Sequence, residues 1–239
     1  MQVEGTLAMN VSMGLLRKKH DWSDERFRDY WRNTHGPLAA RVLNLREYWQ
    51  NVVTDRLQRG IDFARGPWDF DGVSHLWFDD TKHAGHAFRD SGMATTLIAD
   101  EGRFLDELHI VMARQDIVIP VPEDAARARL LKRISMLKRR PEISEDDFRR
   151  EWIMHRDMVR KMPGVSAYRQ NVVLSRERVK GTPCDYQALP IDGIVELWFE
   201  TTGTLNAAFA SPAGRTTMAH AKTFLSEITA FVVVEHRVV

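Results

Sequence analysis

Four apolar side chains, Met9, Val11, Met13 and Leu15, take every second position near the start of the chain, which is the alternation of a half-buried strand. From Ser23 the period changes. Phe27, Tyr30 and Trp31 fall at i, i+3 and i+4 behind a serine suited to an N-cap, so a helix is predicted there. "REYWQNVV" from Arg46 and "GVSHLWFDD" from Gly72 are aromatic and β-branched, as strands are. "TKHAGHAFRD" from Thr81 through "LIADEGRFLD" to Asp106 reads as helix, and "LHIVMARQDIVI" closes the segment as a strand.

The same series is then written again. A shift of 121 positions places Ser23 on Ser144, Phe27 on Phe148 and Trp31 on Trp152, and it brings Gly72, Trp77 and Phe78 onto Gly193, Trp198 and Phe199. A shift of 120 serves better for His35 with His155, Tyr48 with Tyr168, Gln50 with Gln170, and Phe104-Leu105 with Phe224-Leu225. Matches in the same order over separate blocks define two homologous halves. Ile134 and Met136 answer the first strand, Ser144 with Asp147 forms a capping-box pattern, and "ITAFVVVEHRVV" closes the second half. The order β-α-β-β-α-β in each half is the ferredoxin-like unit. The predicted domains are residues 1–118 and 126–239, joined by a linker at 119–125 that holds two prolines and two acids.

A four-stranded sheet with helices on one face needs cover on the other. Val73 and Trp77 on one side of the third strand, and Leu76 and Phe78 on the other, leave neither face solvated. The second half is the expected lid, giving two sheets face to face about a pseudo-two-fold axis in an α+β fold.

Composition adds exclusions. The chain is 44% apolar and 28% charged, with 34 basic and 33 acidic residues, so no net field draws it to nucleic acid or to a membrane surface. The expected partner is a small hydrophobic or aromatic molecule, and the doubled chain leaves room for a homodimer. The single cysteine, Cys184, makes no internal disulfide and suits a reducing compartment. The start lacks a secretory pattern and no apolar run approaches the roughly 20 residues that span a bilayer. A cytoplasmic protein is expected.

The phrase F-x-x-x-W-x-x-x-H-G-P-L at Phe27, Trp31, His35, Gly36, Pro37 and Leu38, the Y-x-Q-N of Tyr48, Gln50 and Asn51, and "ADEGRFLDE" at Ala99 to Glu107 resemble the EthD family of dimeric α/β-barrel proteins. The second half resembles it more weakly, through Phe148, Trp152, His155, Tyr168, Gln170, Asn171, Phe224 and Leu225. The resemblance implies two ferredoxin-like βαββαβ repeats forming an intramolecular dimeric α/β barrel, with a pocket between the helices and the helix-facing side of each sheet. Related folds host polyketide cyclases, dehydratases, cofactor-free monooxygenases, muconolactone-type isomerases and haem-degrading enzymes, while founding members accompany an ether-degrading monooxygenase. The second copy departs from the pattern: Trp152 and His155 stand one residue closer, Gly-Pro becomes Arg156-Asp157, and the position of Asp100 becomes His220. Gly-Pro is expected to end the first helix at His35, whereas the second helix continues.

These residues point to acid-base chemistry. His35 is the expected proton carrier, oriented by Asp100. His75 joins them as a catalytic candidate, with Tyr48, Gln50, Trp77, Trp68 and Trp31 binding substrate. His75 and Trp77 share one strand face, as do Glu196 and Trp198, and that face is expected to look at the helices. Trp68 is expected in a loop over the first pocket. The second-site candidates are His155, Tyr168, Glu196, Trp198 and His220. Aligned, His35, His75 and Asp100 and the set His155, Glu196 and His220 are each two histidines and one carboxylate, the ligand types of non-haem iron or zinc, but no local metal-ligand spacing supports them and neither metal nor cofactor is expected. His83 and His86 beside Lys82 read as a solvated face, His20, His109 and His236 as structural, and Cys184 as an unreactive thiol. The leading expectation is a lyase, dehydratase or isomerase of small-molecule metabolism acting on an aromatic, polyketide-like or xenobiotic compound. The alternatives are a non-catalytic carrier of a hydrophobic intermediate for a partner oxygenase, and an oxygenase.

Overall fold

The computed structural model describes residues 9–78 and 91–239. The first half runs β1 (Met9–Lys18), α1 (Asp24–Tyr30), a π-helical turn (Trp31–His35), α2 (Gly36–Ala39), β2 (Leu45–Asp55), β3 (Gly72–Phe78), α3 (Ala94–Phe104) and β4 (Leu105–Ile119). A short α4 (Asp124–Arg127) leads into β5 (Leu131–Arg139), α5 (Glu145–Val159), β6 (Ala167–Val179), β7 (Thr182–Pro183), β8 (Gly193–Phe199), α6 (Thr202–Ala210), α7 (Pro212–Phe224) and β9 (Leu225–Arg237). Lys82, His83 and His86 lie outside the described residues.

The caps form as their sequences predict. Ser23 accepts the Arg26 N–H at 3.1 Å. Ser144 accepts the Asp147 N–H at 3.1 Å and donates its hydroxyl to that carboxylate.

The strand order β4-β1-β3-β2 passes directly into β9-β5-β8-β6, and β6 pairs back onto β4. The two sheets therefore do not stack face to face. They join edge to edge, β2 to β9 and β4 to β6, in a closed barrel of eight antiparallel strands, with β7 appended to β6. Closure leaves no exposed sheet edge within the barrel, and it explains why β3 is buried along its whole length. One face of that strand fills the barrel and the other meets the helices.

Val11, Met13 and Leu15 point into the barrel and are fully buried with Ile134, Met136 and Phe231. The opposite faces carry Tyr48, Leu76 and Leu16 in the first half and Tyr168, Leu197 and Leu137 in the second, and the helices pack there. Loops add to the interior. Trp68 and Phe70, before β3, and Leu189 and Ile191, before β8, pack against the same cluster.

Two glycines set how closely helix and sheet approach. A Cβ on Gly72 would lie 2.4 Å from the Trp31 ring, and one on Gly193 would lie 2.2 Å from Trp152. Both indoles are at most 1% exposed and cannot move aside. The repeated glycines are thus seats for the repeated tryptophans. Gly193→Ala is expected to lower unfolding stability by about 2–3 kcal/mol through overpacking, read as a lower urea midpoint with an unchanged slope; an unshifted midpoint would mean that the helix simply slides.

Candidate functional site

The first helix reaches His35 by an irregular step. Pro37 has no N–H to offer the helix, and the Gly36 N–H bonds to the Trp31 carbonyl five residues back. Gly36 keeps helical dihedrals and the chain continues through α2. Gly-Pro does not end the helix, as the sequence suggested, but inserts one residue into it. That insertion accounts for the change of repeat shift between Trp31 and His35. Four residues through a π-turn bring His35 to the place that His155 reaches in three residues of regular α5, and each histidine then meets the residue 65 positions further on.

In the first half that residue is Asp100. His35 Nδ1 lies 2.8 Å from Asp100 Oδ2, and the Tyr30 hydroxyl donates to Oδ1 at 2.6 Å. Burial alone would raise the Asp100 pKa, but hydrogen bonds from His35 and Tyr30 outweigh it and the group is held below its usual value. An ionised carboxylate only accepts, so Nδ1 carries a proton, and in the neutral imidazole Nε2 then presents its lone pair. Nε2 has no protein partner among the described residues, and His35 lines a cavity with Trp31, Tyr48, Ser74 and Leu97.

Tyr48 is fixed by the Y-x-Q-N pattern. Its oxygen accepts from Trp31 Nε1 at 3.2 Å and from Gln50 Nε2 at 3.1 Å, while Gln50 also donates to the Trp31 carbonyl at 2.7 Å. Gln50 thereby ties strand β2 to the π-turn. With two donors on its oxygen, the Tyr48 hydroxyl has no protein acceptor for its own proton among the described residues. Burial pushes that hydroxyl above its usual pKa, partly offset by Gln50 and Trp31, so it stays protonated at neutral pH.

About 30 Å³ of the cavity is open to the centre of a water molecule, room for about two waters. Glu101 of α3 and Lys180, which reaches over from the second half, pair with each other in the lining. Neither was singled out from the sequence. Glu101 lies in the "ADEGRFLDE" motif, whereas Lys180 belongs to the other repeat and no local pattern connects it. From the sequence Tyr30 marks only a position of the helical period.

The second half repeats the arrangement with altered chemistry. His155 Nδ1 lies 3.2 Å from His220 Nδ1, and His220 Nε2 lies 3.1 Å from Glu151. Burial pushes His155 down to about 3, assisted by His220, so its imidazole is neutral near pH 7. Tyr168 accepts from Gln170 at 2.7 Å, and Gln170 donates to the Trp152 carbonyl.

Four expected site residues lie elsewhere. His75, Trp77, Glu196 and Trp198 point into the barrel rather than toward the helices, because even-numbered Ser74 and Leu76 take the outer face of β3. There they join a polar network across the barrel. Lys132 Nζ lies 2.6 Å from Glu196, 2.9 Å from Glu235 and 2.8 Å from Asn51 Oδ1. Asn51 Nδ2 donates to the Val73 carbonyl and to His75 Nδ1 at 2.7 Å, which places the neutral imidazole's proton on Nε2. Burial pushes His75 down to about 3. Trp198 donates to Glu235 at 3.0 Å. The two histidine-carboxylate sets therefore do not assemble: His75 and Glu196 are separated by the barrel wall from the other members of their sets. Among the described residues no group of three metal-ligand side chains converges.

Trp68 is also displaced from its expected role. It stacks on Phe70 at 5.8 Å and packs on the barrel interior, not over the first cavity. Cys184 is half-buried against the same cluster and burial raises its thiol pKa, leaving an unreactive group.

The EthD domain family matches residues 19–108 and again residues 140–227, once in each half. The chain belongs to the EthD family. In this EthD protein the paired matches enclose His35 and Tyr48 in the first half and His155 and Tyr168 in the second. An anthrone oxidase-like protein of solved structure has the same architecture, with a TM-score of 0.61 at 10% identity over 100% of this chain and 96% of that one. A dye-decolorizing peroxidase from Bacteroides thetaiotaomicron aligns with a TM-score of 0.53 at 9% identity, over 98% and 94% of the two chains. At such identities the likeness concerns the barrel and not the chemistry. No curated protein matches the chain in sequence. Among the described residues no helix is long and apolar enough to cross a membrane.

Proposed function

We propose that this EthD protein is an enzyme that moves a proton on a small enolisable molecule, aromatic, polyketide-like or xenobiotic, in the cavity of its first half. The observation that carries this is the division of labour on His35: Nδ1 is engaged by buried Asp100 at 2.8 Å, and Nε2 is left to the cavity it shares with the Tyr48 hydroxyl. Nε2 takes a proton from carbon. Tyr48 donates a hydrogen bond to the oxygen where negative charge develops, and Asp100 stabilises the imidazolium. The imidazolium returns the proton to a second carbon, which is isomerisation, or to a leaving hydroxyl that departs as water, which is dehydration. Either course balances without a redox partner or an organic cofactor.

The first half carries the reaction in this proposal because it keeps the carboxylate that His220 replaces in the second. We also infer that each half is a ferredoxin-like repeat, bounded near residues 118 and 126, that the protein works in the cytoplasm, and that neither nucleic acid nor membrane is its partner.

The test is deuterium uptake. Small β-diketones, phenolic ketones and α-hydroxy ketones are incubated with the protein in heavy water, and exchange at the acidic carbon is followed by mass spectrometry. Enzyme-dependent exchange in at least one class is expected, with Tyr48→Phe slowing it about 100-fold through loss of one oxyanion donor. A compound that binds one to one and is recovered without label would replace catalysis by carriage.

A further inference from the structure

The second cavity differs from the first by a buried cation without an acid. In β5, Arg133 pairs with Leu197 as Ser12 of β1 pairs with Leu76, so the duplicated barrel holds an arginine where its first half holds a serine. Arg133 is 2% exposed. Its partners are all neutral: Ser135 Oγ at 3.1 Å, the Arg59 carbonyl at 2.7 Å and the Gln58 carbonyl at 3.2 Å. Three of its five N–H groups are thus engaged. None of the residues lining the cavity is acidic, and with no carboxylate to oppose it burial pushes Arg133 down to about 9, still charged at neutral pH. A buried charge without a counter-charge is costly.

Trp152 belongs to the same lining. Trp31 Nε1 donates to Tyr48 at 3.2 Å, whereas its counterpart Trp152 Nε1 is buried beside the Tyr168 hydroxyl and makes no well-formed hydrogen bond to it. The other walls are apolar or neutral, among them Val159, Leu197 and Phe209, with the Arg133 guanidinium 4.8 Å from the Phe209 ring. About 50 Å³ is open to the centre of a water molecule, more than in the first cavity.

We propose that the second cavity is a binding site for a small carboxylate with an apolar body, such as an aromatic acid, whose head group takes the free N–H groups of Arg133 and whose ring lies among the apolar walls near Trp152. The two cavities then have different tasks: the first, where Glu101 and Lys180 already neutralise each other, works on a neutral molecule, and the second holds an acid. His155, neutral and backed by His220, adds no competing cation.

The test uses benzoate against its uncharged analogue benzamide, titrated calorimetrically into the full-length protein. Benzoate is expected to bind at least tenfold more tightly, and Arg133→Gln is expected to remove that preference. Equal affinities, no binding of either probe, or a preference that survives in Arg133→Gln would overturn the proposal and leave Arg133 as an anchor for the 58–60 loop. Should Arg133→Gln fail to fold, the wild-type protein decides: benzoate is expected to shift the indole N–H resonance of Trp152, and a resonance that stays in place at saturating benzoate overturns the site.

Discussion

Replacing His35 with Asn is expected to slow turnover by about 100- to 10,000-fold, with the thermal midpoint moving only a few degrees. Asparagine can place an amide N–H close to where Nδ1 stands, so the bond to Asp100 at 2.8 Å has a replacement donor. What disappears is Nε2, the His35 nitrogen that has no protein partner among the described residues. Alanine is a poorer probe. His35 is 6% exposed, and truncating it would strand Asp100 Oδ2, at a cost of about 1–3 kcal/mol. A His35→Asn protein with full turnover and an unchanged midpoint would remove His35 from the chemistry.

The second large effect concerns the barrel interior. Lys132→Met is expected to destabilise the protein by about 3–5 kcal/mol, because it leaves buried carboxylates without their shared cation, which corresponds to a midpoint lower by roughly 10 °C. Burial would raise the pKa of Glu235, but Lys132 together with Arg127 holds it down to about 2; burial likewise opposes the ionised form of Glu196, and Lys132 again outweighs it. A carboxylate whose folded pKa is depressed contributes stability above its unfolded pKa, near 4.3, and loses it as pH falls toward the folded value. The wild type should therefore lose stability as pH falls from about 5 toward 2. In Lys132→Met the Glu196 pKa rises instead, and its protonation relieves the buried charge. The gap between the two proteins should narrow on acidification, and thermal melts from pH 7 down to about 4 measure it. A constant gap would mean that Lys132 acts through packing alone.

The repeat made the fold legible. Paired aromatics, caps and the Y-x-Q-N phrase recur because each half must seat an indole on a glycine and tie its helix to its second strand through Gln50 or Gln170. Even the one-residue slip between Trp31 and His35 carried information, since it marks the π-turn. The pairing of His35 with Asp100 and of His155 with His220 could likewise be read from aligned positions. Which face of β3 looks inward could not. Alternation shows that His75 and Trp77 share a face, but a closed barrel under helices buries both faces, so apolar content does not distinguish them. Trp68, Lys180 and Arg133 escaped for another reason: their surroundings come from distant segments, and a loop that leaves one half to cover the other has no local signature.

The most direct test of the proposed acid-base site is the tautomer of His35, read from one- and two-bond nitrogen-proton correlations on histidine-labelled protein in mildly alkaline buffer. A proton on Nδ1 and a bare Nε2 are expected, with Asn at position 35 abolishing the signals. A proton held on Nε2, with Nδ1 bare against Asp100, would leave no base facing the cavity and would contradict the mechanism.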